Sequence, residues 1–394
     1  MLLKTAPTIP ENMSSFSAIA AASTAQWEPQ KSAIRSALEA GVYGTMPRAF
    51  DTAVTARRII QGHSYDGTIE ELDLRTSYFA RHAEDQKPQE KSLEYTAVLI
   101  TPPAHLSPPT SGEKPEPIPI IMMENHCPNH SVFPDVGISK PEGTSLSCGG
   151  NKFLRALTSF FFGRYIKTPP INTILSRGYG IALIYPSQNF PDDAQGFELL
   201  RPGPDPSHPW GAIGAWAYQF SSLSNALSAQ GYTTTIAYGH SRYGKSALVA
   251  AAFDPSIDGV IAHQSGTGGA SLSRGKKGES VAAITRRYPH WFTPAYQEDA
   301  MSYDQHHLLA LIAPRPILLG NARRDVWSDP EGAFKAGKAA SSVYRLYGAS
   351  GLSQNTLTDF TPSAGISFWI RPGTHGVVKE DWPAFLHYMD AHFR

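Results

Sequence analysis

Residues 239–246 read G-H-S-R-Y-G-K-S and satisfy two opposed chemical patterns at once. As G-x-x-x-x-G-K-S the segment is a phosphate-binding loop, in which Gly239 and Gly244 free the backbone, Lys245 meets phosphate and Ser246 holds Mg²⁺. As a nucleophile elbow it lifts Ser241 out of a sharp strand-to-helix turn, with its hydroxyl standing above a sheet. Both patterns need a strand before and a helix after. Residues 233–238 (TTTIAY) are rich in strand formers and residues 245–253 (KSALVAAAF) in helix formers, so the flanks serve either one.

More distant residues separate them. A P-loop enzyme also needs an apolar strand ending in an acid that holds the metal. Here the run GVIAHQ at 259–264 ends in an amide, and PILLG at 316–320 continues through Asn-Ala-Arg-Arg before reaching Asp325. An esterase instead needs Ser, acid and His in that order, each at the end of a strand. That order is present: Ser241, then Asp325 after PILLG, then His375 in R-P-G-T-H-G after ISFWI at 366–370. Position 243 is Tyr where the elbow pattern G-x-S-x-G has its second Gly, a departure from the motif. A serine hydroxyl is a weak nucleophile at its own pKa, so the His375 imidazole would take its proton during attack and pass it to the leaving alcohol. The backbone N–H of Arg242, the residue after the nucleophile, is the expected oxyanion donor.

These groups need a sheet to carry them. Apolar strands near residues 95–100, 118–123, 180–185, 233–238, 259–263, 316–320 and 366–370 alternate with helices at 212–229, 332–347 and 382–393. Fully apolar strands separated by helices imply a mostly parallel sheet covered on both faces. The expected fold is an α/β-hydrolase fold, a three-layer sandwich with a mostly parallel central sheet flanked by helices. Residues 1–90, with a helix at 31–40 and a β-rich segment at 68–79, form an expected N-terminal extension packing on a catalytic domain at 91–394. The proline-rich stretch 101–117 reads as an exposed loop.

Lys plus Arg and Asp plus Glu balance at 34 each, so no net charge draws the chain to nucleic acid or an anionic membrane. No apolar run approaches the ~20 residues that cross a bilayer. The two cysteines, Cys127 and Cys148, read as one bridge in an exported protein or two free thiols in a reducing compartment, and the pair by itself does not settle which. The start, M-L-L-K-T-A-P, lacks the pattern of a secretory signal, so the chain reads as cytoplasmic, with export after signal removal as the alternative. A monomer is expected.

Several motifs in one order carry a further resemblance. G-H-S-R-Y-G-K-S, Q-S-G-T-G-G-A-S-L-S-R at 264–274, G-E at 278–279, Y-P-H-W-F at 288–292, D-Q-H-H-L-L-A-L-I-A-P-R-P at 304–316 and D-V-W-S-D-P-E-G at 325–332 resemble the bacterial branch of the glucuronoyl esterases, carbohydrate esterase family 15. W-G-A-I-G-A-W-A at 210–217 and E-N-H-C-P-N-H at 124–130 are similar too, so the likeness spans roughly residues 90–394. It implies hydrolysis of the ester between 4-O-methyl-glucuronic acid and lignin alcohols, with Ser241 as nucleophile, His375 as base and no cofactor. Many members carry a Glu at the position of Gln264, and a neutral amide cannot stabilise imidazolium, so Asp325 takes the acid's place. Asp329 is the alternative, though its place before Pro330 suits a helix cap. The resemblance further implies that the Arg242 side chain assists the oxyanion, and that Lys245, Glu279, Trp327, Gln264 and His126 contact substrate.

His126 and His130 lie four apart and His306 adjoins His307, yet Pro128 argues against a helix at the first pair, and no metal site is expected. Asn125, His126 and His130 are instead expected to line the pocket. The alternatives left open are a xylan or sugar acetyl esterase, a P-loop nucleotidase and a carbohydrate-binding relative that lost turnover with Gln264.

Overall fold

The computed structural model describes residues 19, 21–81, 87–103, 118–133, 136–141, 162–275, 277–298 and 303–394. The N-terminal residues 1–18, most of the proline-rich stretch 101–117 and Cys148 lie outside the described residues.

Nine strands build one sheet: β1 (Phe50–Ile60), β2 (Thr68–Ala80), β3 (Gln89–Thr101), β4 (Ile120–Glu124), β5 (Gly180–Ile184), β6 (Thr235–His240), β7 (Gly259–His263), β8 (Ile317–Ala322) and β9 (Ile366–Arg371). Their spatial order is β1-β2-β3-β5-β4-β6-β7-β8-β9. The first three pair antiparallel, β3 meets β5 antiparallel with Ala97 opposite Ile184, and every pairing from β5–β4 onward is parallel. This is the α/β-hydrolase architecture. Strands β4 to β8 are buried without interruption, which is why they read as continuous apolar runs rather than as alternation.

The period of two nevertheless decides which layer each side chain joins. Ile120, Met122, Ala182 and Leu319 pack on one face, while Ile121, Met123, Leu183 and Leu318 pack on the other. The first face is covered by α1 (Thr24–Leu38), α2 (Ala212–Ala229), α3 (Arg242–Phe253), α4 (Gln305–Ile312) and α5 (Pro330–Leu346). The second is covered chiefly by α6 (Asp381–Phe393), which buries Trp382, Phe385, Tyr388 and Met389.

Residues 24–80, read from the sequence as part of an extension, supply two strands of the sheet and a helix of the first layer. Arg35 of α1 donates from Nη1 to the Phe253 carbonyl at 2.6 Å, capping the end of α3. The Tyr43 hydroxyl, just past α1, lies 2.9 Å from Gln305 Oε1 in α4.

Candidate active site

Parallel strands deliver their C-terminal ends to one edge of the sheet, where loops are free to vary. Ser241 follows β6 there, Asp325 follows β8, His375 follows β9, His126 follows β4 and Asp192 lies in the loop after β5.

Ser241 sits at φ 60°, ψ −121°, a region an L-residue enters only at a cost of about 1–3 kcal/mol. Its N–H donates to the His263 carbonyl of β7 at 2.8 Å, and helix α3 starts at the next residue. The turn closes only because Gly239 has no side chain: a Cβ there would stand 1.8 Å from the Tyr243 carbonyl oxygen. Tyr243, the departure from G-x-S-x-G, points its ring against Trp216 and His126 with centroids 5.2 and 4.7 Å apart. The close approach is made at Gly244, where a Cβ would lie 3.0 Å from the Gly239 oxygen.

The groups a P-loop would turn toward phosphate already make hydrogen bonds within the protein, although two carbonyls do not exhaust the three donors of a lysine ammonium. The Ser246 hydroxyl donates to Glu124 Oε2 and meets the Tyr243 carbonyl at 3.0 Å. Lys245, 5% exposed, donates from Nζ to the carbonyls of Ser265 and, at 2.7 Å, Thr267.

His375 Nδ1 lies 2.7 Å from Asp325 Oδ2, and its ring packs on His240, the neighbour of the nucleophile, at 4.6 Å between centroids. Asp325 is buried, which by itself would raise its pKa. The hydrogen bond and charge of His375, helped by Ser328, outweigh that and hold the carboxyl below the usual range. Asp329 does something else: at φ 51° it accepts the Gly332 N–H at 3.0 Å and caps α5. The geometry therefore joins His375 to Asp325 and leaves Asp329 a structural part.

Arg242 extends over the Trp291 ring, 5.3 Å from its centroid, with Nη1 paired to Asp192 Oδ2. Asp192 Oδ1 is held in turn by His290 Nε2 at 3.0 Å and Trp291 Nε1 at 2.7 Å, and Tyr288 stacks on Trp291 at 3.8 Å. The cation is thus fixed in direction by a carboxylate and in height by an aromatic platform. His126 is half-buried beside it. Removal from water, then the charges of Arg242 and His375, hold its imidazole well below the ordinary value, so it stands neutral in the cleft.

Lys245 is linked to Glu279 through Thr267, whose carbonyl accepts from Lys245 Nζ and whose hydroxyl donates to the Glu279 carbonyl, and Glu279 in turn meets Trp327. The Glu279 N–H donates to the Trp327 carbonyl at 3.0 Å, and Gly278 permits this contact, since a Cβ would be 2.5 Å from that same oxygen. Glu279 is buried, with Oε1 lacking a hydrogen-bond partner among the described residues, while Trp327 is 55% exposed.

Gln264, expected among the substrate contacts, is placed under the His375 loop. It is 1% exposed, and its amide is spent on the protein: Oε1 accepts from Gly376 N at 2.8 Å and lies 3.0 Å from His240 Nε2, while Nε2 donates to the Thr374 carbonyl at 3.2 Å. It braces the backbone on both sides of His375. Cys127, whose state the sequence left open, is in a disulfide; the chain's one other cysteine is Cys148. Two cysteines twenty-one positions apart carry no sequence signal that would distinguish thiols from a bridge. Among the described residues no three His, Cys, Asp or Glu side chains converge as a metal would require.

Asp192 is the part of the site that sequence reasoning missed. Nothing local marks it, because its partner lies fifty residues on. His290 and Trp291 fall inside Y-P-H-W-F, a motif that the sequence marks without giving a role.

The chain is similar to known proteins along most of its length. The family model described as fungal glucuronyl esterase matches residues 205–348. The carbohydrate esterase MZ0003, from an unknown prokaryotic organism, is 33% identical over 306 residues, covering 70% of this chain and 68% of its own. Among solved structures, a promiscuous CE15 esterase from a marine bacterial metagenome superposes with a TM-score of 0.75 at 26% identity, over 94% of this chain and 93% of that one. The glucuronoyl esterase from Solibacter usitatus does so with 0.74 at 28% identity, over 94% of both. The likeness to these proteins runs along most of their length, through the strands that here deliver a strained serine ahead of an arginine, an aspartate and a histidine, and the chain belongs to the glucuronoyl esterase family, carbohydrate esterase family 15.

Proposed function

We propose that this protein hydrolyses carboxylic esters of uronic acids, of the 4-O-methyl-glucuronoyl type that links xylan to lignin alcohols, through an acyl-enzyme on Ser241. The observation that carries this reading is the 2.7 Å pairing of His375 with a buried Asp325, at the sheet edge where Ser241 is held at positive φ.

Ser241 Oγ attacks the ester carbonyl as His375 Nε2 takes its proton, and Asp325 stabilises the imidazolium through Nδ1–H. The oxyanion is met by the Arg242 N–H and by the guanidinium, whose charge suits a tetrahedral O⁻. Collapse expels the alcohol, which receives the proton from His375. Water then repeats the sequence on the acyl-enzyme and frees the uronic acid and Ser241. Glu279 and Lys245 hold the sugar hydroxyls, and the exposed Trp327 face covers the ring.

A disulfide at Cys127 suits an oxidising compartment, which favours an exported enzyme over a cytoplasmic one.

The test is a hydrolysis panel with methyl and benzyl glucuronate, acetylated xylose and p-nitrophenyl acetate. Higher kcat/KM on the glucuronates is expected. Faster turnover of acetylated xylose would overturn acid-side recognition in favour of a sugar acetyl esterase.

A further inference from the structure

The loop that carries His375 closes around a single buried cation. Arg371, the last residue of β9, is 3% exposed. Its Nη1 donates to the Pro372 carbonyl at 3.0 Å, and its Nη2 donates to the carbonyls of Thr374 at 3.2 Å and Gly376 at 2.7 Å. Thr374 and Gly376 are the two neighbours of His375, so the residues on either side of it are tied to one planar group. Three carbonyls turned inward would be costly without a donor for each, and the guanidinium is the side chain whose fork can serve several directions together.

The cation is itself oriented. Asp381, the first residue of α6 and 0% exposed, accepts from Arg371 Nε at 3.0 and 2.9 Å through its two oxygens. It also accepts the Val378 N–H at 2.9 Å and Trp369 Nε1 at 3.2 Å. His263 Nε2 lies 3.0 Å from the Gly376 carbonyl and 3.4 Å from Asp381. Gly376, at φ 148°, is pressed so closely on the Phe162 carbonyl that a Cβ would stand 2.2 Å from it. The loop is therefore confined from the sheet side, the helix side and the outer side, and among the described residues the Arg371–Asp381 pair is the part that reaches three of its backbone oxygens.

We propose that Arg371 and Asp381 are positioning residues for the hydrolytic reaction: held by Asp381, the Arg371 guanidinium fixes the backbone of residues 372–376 and through it the rotation and depth of the His375 imidazole toward Asp325 and Ser241. This rests on the reading of His375 as the base. Neither residue belongs to the reacting atoms. Their effect is on geometry, and a displacement of about 1 Å in a catalytic group can cost about 10²-fold in rate.

The test compares Arg371→Lys, Asp381→Asn and His375→Ala with the wild-type chain on methyl glucuronate and p-nitrophenyl acetate, with folding followed by circular dichroism and thermal melting. Arg371→Lys keeps a positive charge opposite Asp381 but offers one nitrogen where three carbonyls and a carboxylate must be reached. It is expected to lose about 10- to 100-fold in kcat on both esters, with KM within about twofold. The far-downfield proton resonance of the His375 Nδ1–H shared with Asp325 should broaden or vanish. Asp381→Asn should do the same, and it reads the same quantity if Arg371→Lys does not accumulate as folded protein. A folded variant with a lowered melting temperature, wild-type kcat and an unchanged downfield resonance would overturn the proposal and leave the pair a packing element. Turnover retained in His375→Ala would instead overturn the assignment of the base, a result that Arg371→Lys alone cannot produce.

Discussion

Replacing Asp325 by asparagine removes one charge and almost no volume, so its cost can be worked from the geometry. In the transition state His375 becomes an imidazolium about 4 Å, centre to centre, from a carboxylate whose oxygen lies 2.7 Å from Nδ1. At an effective dielectric constant of ~20 that attraction is about 4 kcal/mol, and at about 1.4 kcal/mol per tenfold it predicts a kcat loss of about 10³, within bounds of ~10²–10⁴. A second effect has the same sign. An asparagine amide facing Nδ1 can donate to it, which puts the imidazole proton on Nε2, where it cannot accept the proton of Ser241. KM should change by less than about threefold, since Asp325 is buried behind His375. The assay is steady-state hydrolysis of methyl glucuronate, with Asp329→Asn alongside. Asparagine caps a helix as well as aspartate does, so Asp329→Asn should keep both kcat and melting temperature close to wild type. A kcat for Asp325→Asn within threefold of wild type, or equal losses in the two variants, would refute the reasoning.

Ser241→Ala should fold normally and lose several orders of magnitude in turnover, and near-normal activity of the purified variant would remove Ser241 as nucleophile. Lys245→Ala should lower kcat/KM for glucuronate esters by about 10-fold or more, through a charged hydrogen bond worth ~1.5–3 kcal/mol, while barely touching p-nitrophenyl acetate; equal loss on both would place Lys245 outside the sugar site. Asp381 supplies a prediction for pH. Against the opposing effect of burial, His263 and then Arg371 hold its carboxyl down at about 2, below the ordinary 3.8. A depressed carboxylate stabilises the fold above its unfolded pKa and ceases to as pH falls through the folded value, so roughly 2 kcal/mol should vanish between about pH 4 and 2. Denaturant titrations should show that slope in the wild type and a flatter one in Asp381→Asn; parallel slopes would contradict it.

Much of this site was readable from residue types because each catalytic group follows a buried strand rich in apolar and β-forming residues. GVIAHQ, PILLG and ISFWI announce buried parallel strands, and the residues just beyond such strands lie by topology at the sheet's C-terminal edge. The elbow was readable despite Tyr243, since the strict need is for Gly239, and the side chain at 243 has a pocket against Trp216 and His126. Strand β1 was not readable. It is a rim strand, its pairing shifts between Val54 and Ala56, and most of its side chains face water, so neither an apolar run nor a clean alternation marks it. The placement of Gln264 was not readable for a different reason. The amide lies one residue past β7, where a substrate contact or an acid would lie, but positive φ turns it under the His375 loop, and backbone conformation of that kind is invisible in a string of residue types.

The placement of Asp381 at the very start of the last helix has a consequence for how the enzyme comes into being. Nucleophile, acid and base have all been synthesised by residue 375, yet the carboxylate that orients Arg371 comes six residues later, on a helix whose apolar face must still dock against the sheet. A nascent chain on the ribosome, or one clipped by a protease ahead of α6, would hold every reacting group and still leave Arg371 without its counter-charge and the second face of the sheet without its main cover. On the proposed role of Arg371 and Asp381, hydrolytic competence waits for this thirteen-residue helix rather than for the catalytic residues themselves, and a cut ahead of it is expected to silence the enzyme without touching its chemistry.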